Sequence, residues 1–171
     1  MATLIKDRGI ATDSWQLLDA DTARWVAVQE DGFVPDFPAG ADLIVPLALL
    51  RARREDLLER SGRTGVLLEP HEDPATLAGD LGHLALVALR FPKFSDGRGY
   101  SSARLLRERF GFRGELRAVG DVLRDQLLFM QRCGFDAFAL REDQDPEESL
   151  LAFSELAVRY QKSARAAEIV A

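Results

Sequence analysis

Cysteine is nearly absent: Cys133 stands alone in a chain of 171 residues. One thiol excludes an internal disulfide, a dithiol redox pair and a thiolate metal cluster. Histidine is almost as scarce. His71 and His83 lie twelve positions apart, which is not the i, i+4 spacing of a helical metal-ligand pair, so no metal is expected. Long apolar runs are missing too. The longest, Leu43–Leu50 and Leu84–Leu89, fall far short of the about 20 residues a membrane span needs, and Pro46 interrupts the first. The opening Met1-Ala2-Thr3-Leu4-Ile5-Lys6-Asp7-Arg8 lacks the basic-then-apolar order of a signal peptide. A cytoplasmic protein without membrane association is expected.

A surplus of positive charge is also lacking: 22 Lys and Arg face 28 Asp and Glu, for a net charge of −6. Nucleic acid is therefore not an expected partner, since a domain-wide basic footprint is missing. The balance is uneven along the chain. Residues 90–132 hold ten basic and five acidic side chains, a local +5 in a background of −11. Such a segment can steer an anion or an acidic partner. It also fits solvated helix faces with intrahelical pairs such as Arg104 and Glu108.

What is present reads as α/β. The length suits one domain of roughly 100–200 residues and excludes a complete eight-stranded α/β barrel of about 250. From Asp42 onward, short apolar runs alternate with amphipathic stretches, the mark of strand–helix units and a parallel sheet. Five units are predicted, over residues 42–171. Their strands are Asp42–Pro46, Gly65–Glu69, Leu84–Phe91, Glu115–Val119 and Asp136–Leu140. Their helices are Ala48–Ser61, a stretch from Asp73-Pro74 toward His83, Ser101–Phe110, Val122–Arg132, and Pro146 to about Gln161. Asp73 and Asp145 are expected N-caps, each followed by proline at the first helical position.

A doubly wound sheet is favoured for so short a chain, with a partial barrel, closed by the N-terminal segment or by a second chain, as the alternative. Residues 1–41 read as a small antiparallel β extension (Ala2–Lys6, Ser14–Leu18, Trp25–Gln29) and a linker, Asp31–Gly40. A homo-oligomer is compatible with either sheet.

Ligands of parallel sheets bind beyond the carboxyl ends of the strands. The loop after the third strand, Pro92-Lys93-Phe94-Ser95-Asp96-Gly97-Arg98-Gly99-Tyr100, is the longest strand-to-helix loop. Lys93, Asp96, Arg98, Gly99, Tyr100, Ser101 and Ser102, with Arg124 from the next unit, form a candidate anion-binding set. Glycines allow backbone amides to approach an anion, and the following helix start favours negative charge. The same residues also read as a plain turn, with Asp96 paired to Arg98 and Ser101 capping the helix; Gly-x-Gly alone is no dinucleotide or P-loop fingerprint. Asp121 is the candidate catalytic acid or base, though a carboxylate at a helix start commonly just caps it. Asp125 is a weaker candidate. Cys133 is expected to be buried, and Phe91, Phe94, Phe110, Phe112, Phe135 and Phe138 to form an aromatic core.

The stretches Phe91–Ser101, Ala103-Arg104-Leu105-Leu106-Arg107, Gly114–Leu123 and Arg132–Phe138 resemble a family of uncharacterised bacterial proteins. Its members are typically encoded beside assimilatory sulfite reductase and carry the label probable oxidoreductase involved in sulfite reduction. The resemblance is close over Phe91–Leu140 and looser from the N-terminus to Arg90. It implies a role in sulfite assimilation and a partner, the sulfite reductase hemoprotein, but transfers no catalytic residue. The residues themselves identify no particular cofactor: there is no complete flavin or nicotinamide fingerprint, no cysteine set for an iron–sulfur cluster and no CxxCH haem attachment, while sulfite or a phosphate-bearing cofactor at the Lys93–Ser102 loop is compatible with both the residues and the resemblance. The leading expectation is an accessory protein of sulfite reduction acting through a basic, anion-binding surface. A small enzyme of an anionic metabolite, or an electron carrier, is the alternative.

Overall fold

The computed structural model describes residues 3–18, Trp25 and residues 36–154. Its frame is an eight-stranded sheet in the order β2-β1-β8-β7-β6-β5-β4-β3. The strands are β1 (Leu4–Lys6), β2 (Gly9–Ala11), β3 (Trp15–Leu17), β4 (Asp42–Pro46), β5 (Thr64–Leu68), β6 (Leu86–Phe91), β7 (Glu115–Gly120) and β8 (Ala137–Ala139). From β3 to β8 every neighbouring pair is parallel; β1 joins β8 antiparallel and β2 joins β1 antiparallel. Strands β1 and β3 thus enter the same sheet, toward its two opposite edges. Contrary to the antiparallel expectation for the second of them, β3 runs parallel to β4.

Between the favoured doubly wound sheet and the partial barrel, the structure shows the second: the sheet is a curled half-barrel. Strands β4 to β8 follow one another in sequence order with no reversal. Right-handed crossovers that always step the same way deliver their connections to one face only. The link between β2 and β3 imposes the curl. Laid flat, seven strand spacings would separate these edges by about 34 Å. Residues 12–14 give four Cα steps from Ala11 to Trp15, a reach of at most about 15 Å. The edges must therefore approach each other, with this strap crossing between them.

Strand alternation then makes two unequal cores. Ile5, Leu43, Val45, Val66, Leu68, Val87, Leu89, Phe91, Leu116, Ala118, Phe138 and Leu140 face outward into the main core. Their neighbours Ile44, Leu67, Leu86 and Ala88 face inward and form a small second cluster with Trp15 and Val119. The apolar run ending at Phe91 is continuous because β6 is buried on both faces.

The outer layer is made of short pieces: α1 (Leu47–Ala52), α2 (Arg54–Glu59), α3 (Arg98–Arg104), α4 (Leu127–Cys133) and α5 (Pro146–Leu151). Several differ from expectation. The helix predicted over 48–61 breaks at Arg53, whose φ of −132° leaves the helical region. Asp73 caps as expected by accepting from the Ala75 amide, but only a 3₁₀ turn over Pro74–Leu77 follows. The third helix starts at Arg98, three residues before the predicted Ser101, and continues as a π turn over Leu105–Arg109. Asp145 caps α5 by accepting from the Glu148 amide. Of the predicted segments, residues 26–29 of the third β piece, residues 31–35 of the linker and the last helix beyond Ser154 lie outside the described residues.

Arg107 fastens this layer to the sheet. It donates to the carbonyls of Gly134 (2.9 Å), Phe112 (2.7 Å) and Gly114 (2.8 Å) and to Asp136 Oδ2 (2.8 Å). Asp136 Oδ1 accepts from the Leu116 amide at 2.8 Å. One cation of the +5 segment is thus spent on holding β7, β8 and the end of α4 together.

Candidate functional site

The loops after β6, β7 and β8 meet at the carboxyl edge of the sheet, and Asp121 ties them. Its Oδ2 accepts from the Phe94 amide at 2.8 Å and its Oδ1 from Arg141 Nη1 at 2.7 Å. Arg141 also donates to both oxygens of Asp143, at 2.6 and 2.7 Å. Asp143 and Asp121, in that order, hold the Arg141 guanidinium above its ordinary pKa, and Arg141 in turn holds Asp143 down to about 2. The Asp121 amide donates to the Phe91 carbonyl at 2.7 Å. That closure needs Gly120 at a φ of +100°, where a Cβ would collide with the Phe91 carbonyl oxygen.

Gln126 is the second tie. Its Nε2 donates to the Phe94 carbonyl at 2.8 Å and to Tyr100 Oη at 3.1 Å, while its Oε1 accepts from the Leu123 amide at 3.0 Å. The sequence reading named neither Gln126 nor Arg141. A glutamine three residues after a helix-start position was the signal for the first, and an arginine just past the fifth predicted strand for the second.

The loop residues are placed as follows. Arg98 grips Asp96 through Nε (3.0 Å), Nη2 (2.6 Å) and its own amide (3.2 Å). The Arg98 hydrogen bonds hold the Asp96 carboxyl down to about 2, and Asp96 raises Arg98 in return. Gly99 is buried with its Cα hydrogens against the Phe91 ring, which a Cβ would approach to 2.6 Å. The Tyr100 ring lies 5.3 Å from Phe91 at a tilt of 57° and edge-on at 4.9 Å to Phe129, and burial pushes its hydroxyl pKa up. Ser101 and Ser102 sit inside α3 rather than at its start. Arg124 turns toward another segment: its amide donates to Gln144 Oε1 at 3.0 Å and its Nε to the Glu148 carbonyl at 3.2 Å. Lys93 is exposed, and so is Phe94, at 59%, contrary to its expected place in the aromatic core; Phe129 is 50% exposed. Asp125 is open to solvent, 3.4 Å from Arg124. Cys133 is buried at the end of α4, and burial pushes its thiol pKa up. Among the described residues no cluster of three or more His, Cys, Asp or Glu could hold a metal ion, and no helix is long and apolar enough to cross a membrane.

The inner face of the sheet holds a separate feature. A cavity of about 360 Å³ runs along it, lined by Trp15, Leu17, Ile44, Leu67, Ala88 and Val119 together with three arginines, Arg90, Arg117 and Arg141. Arg117 is at its heart with a side chain only 3% exposed. Nε donates to Glu115 Oε1 at 2.7 Å, with Nη2 at 2.7 Å from the same oxygen as an ion pair, and Nη1 donates to Asp13 Oδ2 at 2.8 Å. Lys6 Nζ holds the other Glu115 oxygen at 2.8 Å, and Arg90 pairs with Glu69 at 2.7 Å. The charged residues of β7 were readable as a solvent face; the curl turns that face inward.

No protein with a curated description matches the chain. A family model described as "Bacterial protein of unknown function (DUF934)" matches residues 65–170. That stretch contains β6 through α5 and nearly all of β5, and with them Arg107, the carboxyl-edge loops and most of the inner face. By this match the chain belongs to the DUF934 family of bacterial proteins.

Proposed function

We propose that this protein is a cytoplasmic accessory protein of assimilatory sulfite reduction that docks on the sulfite reductase hemoprotein through the carboxyl edge of its sheet. The pathway and the partner are supported by the sequence resemblance over Phe91–Leu140. The surface is supported by one observation above all: the loop over residues 92–97 is held from both sides, by Asp121 and by Gln126, so that Lys93 and Phe94 face solvent. An exposed loop held rigid loses little conformational entropy on binding. Aromatic side chains such as Phe94 are enriched in interfaces, and a cation such as Lys93 steers an acidic partner. Docking is favoured over capture of a free anion by this loop, because the Arg98 guanidinium is open to solvent as well as paired with Asp96, and water screens such a charge.

Growth tests the pathway. A deletion strain without a second copy should need cysteine or sulfide when sulfate or sulfite is the sulfur source, and the wild-type gene should restore growth. A Lys93→Glu, Phe94→Ser double variant that accumulates normally should fail to restore it. Growth of the deletion strain on sulfate at the wild-type rate would remove the proposal.

A further inference from the structure

The inner cavity is a binding site in its own right, separate from the docking loop, and we infer that it takes an organic anion with an apolar body. Its volume of about 360 Å³ lies within the range of sites that enclose small ligands, roughly 300–1,000 Å³. Its lining divides by chemistry. Ile44, Leu67, Ala88 and Val119 come from four adjacent strands and make a continuous apolar floor, with Trp15 and Leu17 on the β3 side. Leu17 is 43% exposed although it faces this floor, so the cavity leaves a large side chain uncovered.

The charged groups over that floor are three arginines, Arg90, Arg117 and Arg141, and two acids, Asp13 and Glu142. Arg117 is almost fully buried, yet its hydrogen bonds to Glu115 and Asp13 use two of its five N–H groups. A buried guanidinium is costly unless its donors are met, and a carboxylate, sulfonate or phosphate head meets them with fork geometry. Asp13 shows where such a head sits. It already places a carboxylate oxygen on Nη1, and it does so from the strap rather than from the sheet. The lining acids, Asp13 and Glu142, belong to the strap and to the loop after β8, whereas Arg90 and Arg117 rise from β6 and β7 themselves. The ligand head binds at Arg117, within the field of Arg90 and Arg141, and the body lies on Leu67, Ile44 and Val119.

The probe that tests this is 8-anilinonaphthalene-1-sulfonate, an aromatic sulfonate whose fluorescence rises in apolar surroundings, titrated into the full-length native protein. One saturable site is expected. Octanoate should displace the probe at a concentration at least tenfold below that needed with 1-octanol or octylammonium. Val119→Trp and Ala139→Leu, which fill the cavity, should each weaken binding at least tenfold, while Phe129→Ser, which removes an exposed aromatic elsewhere, should leave it unchanged. If either filled variant does not fold, methyl NMR of the wild type decides: Ile44, Leu67 and Val119 should shift with the probe while Leu105 and Leu151 stay still. Equal displacement by octanol would overturn the anionic class. Binding that survives in folded Val119→Trp, that is lost in Phe129→Ser, or that leaves the three methyls unmoved would overturn the site.

Discussion

Asp13, on the strap between the two edge strands, accepts a 2.8 Å hydrogen bond from Nη1 of Arg117, 104 positions further along the chain at the centre of the inner face. The same carboxylate accepts from the Trp15 amide at 3.1 Å. One side chain therefore fixes the strap to β3 and to the buried guanidinium at once. Asp13→Ala should destabilise the fold by about 1–3 kcal/mol, the cost of leaving a charged donor without its acceptor. The Trp15 amide should exchange faster with solvent than in the wild type. Unchanged exchange at Trp15 would show that the strap is held by something else.

Arg107 predicts a larger loss. Its replacement by alanine takes the Arg107 donors from three carbonyls and from Asp136 Oδ2 in a nearly buried site. Removing one partner of such a pair costs roughly 3–5 kcal/mol. Urea unfolding of Arg107→Ala should show this as a lower midpoint at unchanged slope. Arg107→Lys should recover only part of it, because an ammonium cannot span the same acceptors.

Two glycines set the shape of the docking edge for different reasons. Gly120→Ala forces a side chain into the left-handed region and against the Phe91 carbonyl, a strain of about 1–3 kcal/mol. Gly99→Ala drives a methyl into the Phe91 ring, an overpacking cost of about 1–3 kcal/mol. Thermal melts of both variants should fall below the wild type. Near-ultraviolet circular dichroism should change more in Gly99→Ala, whose added methyl meets the Phe91–Tyr100 pair.

Acid should loosen the same edge. Asp96 and Asp143 are each held to about 2 by an arginine, from an ordinary value of 3.8. A carboxyl whose pKa is depressed in the folded state stabilises that state above the unfolded pKa, and the contribution is lost as pH falls through the folded one. The effect should be complete above about pH 4 to 5 and fade toward pH 2. Asp96→Asn and Asp143→Asn should each flatten the stability profile in that window, measured by urea unfolding against pH, and leave its shape above about pH 6 unchanged.

Much of the sheet was readable because each strand carries its own apolar run; Leu84–Phe91 announces a doubly buried strand by composition alone. The curl was legible only as the alternative, a partial barrel closed by the N-terminal segment, since it depends on which edge β2 and β3 join, and Gly9-Ile10-Ala11 is too short to alternate. The same gap hid the inner site. Glu115 and Arg117 alternate with Leu116 and Ala118, the pattern of a strand with one wet face, and only the curl makes that face an interior. At the carboxyl edge, sequence placed Asp121 at a helix start, as a catalytic acid or base or as a plain cap. In the structure the next turn begins at Arg124, and the Asp121 carboxylate bonds the Phe94 amide from the neighbouring loop. Such a partner is set by strand pairing, which local sequence does not encode.

The docking claim is tested most directly by titrating the purified protein into sulfite reductase hemoprotein and measuring complex formation by calorimetry or sedimentation. A saturable complex is predicted for the wild type, weakened at least tenfold in the folded Lys93→Glu, Phe94→Ser double variant and unaffected by Val119→Trp. No complex at micromolar concentrations of both proteins, or an undiminished complex in the double variant, would contradict it.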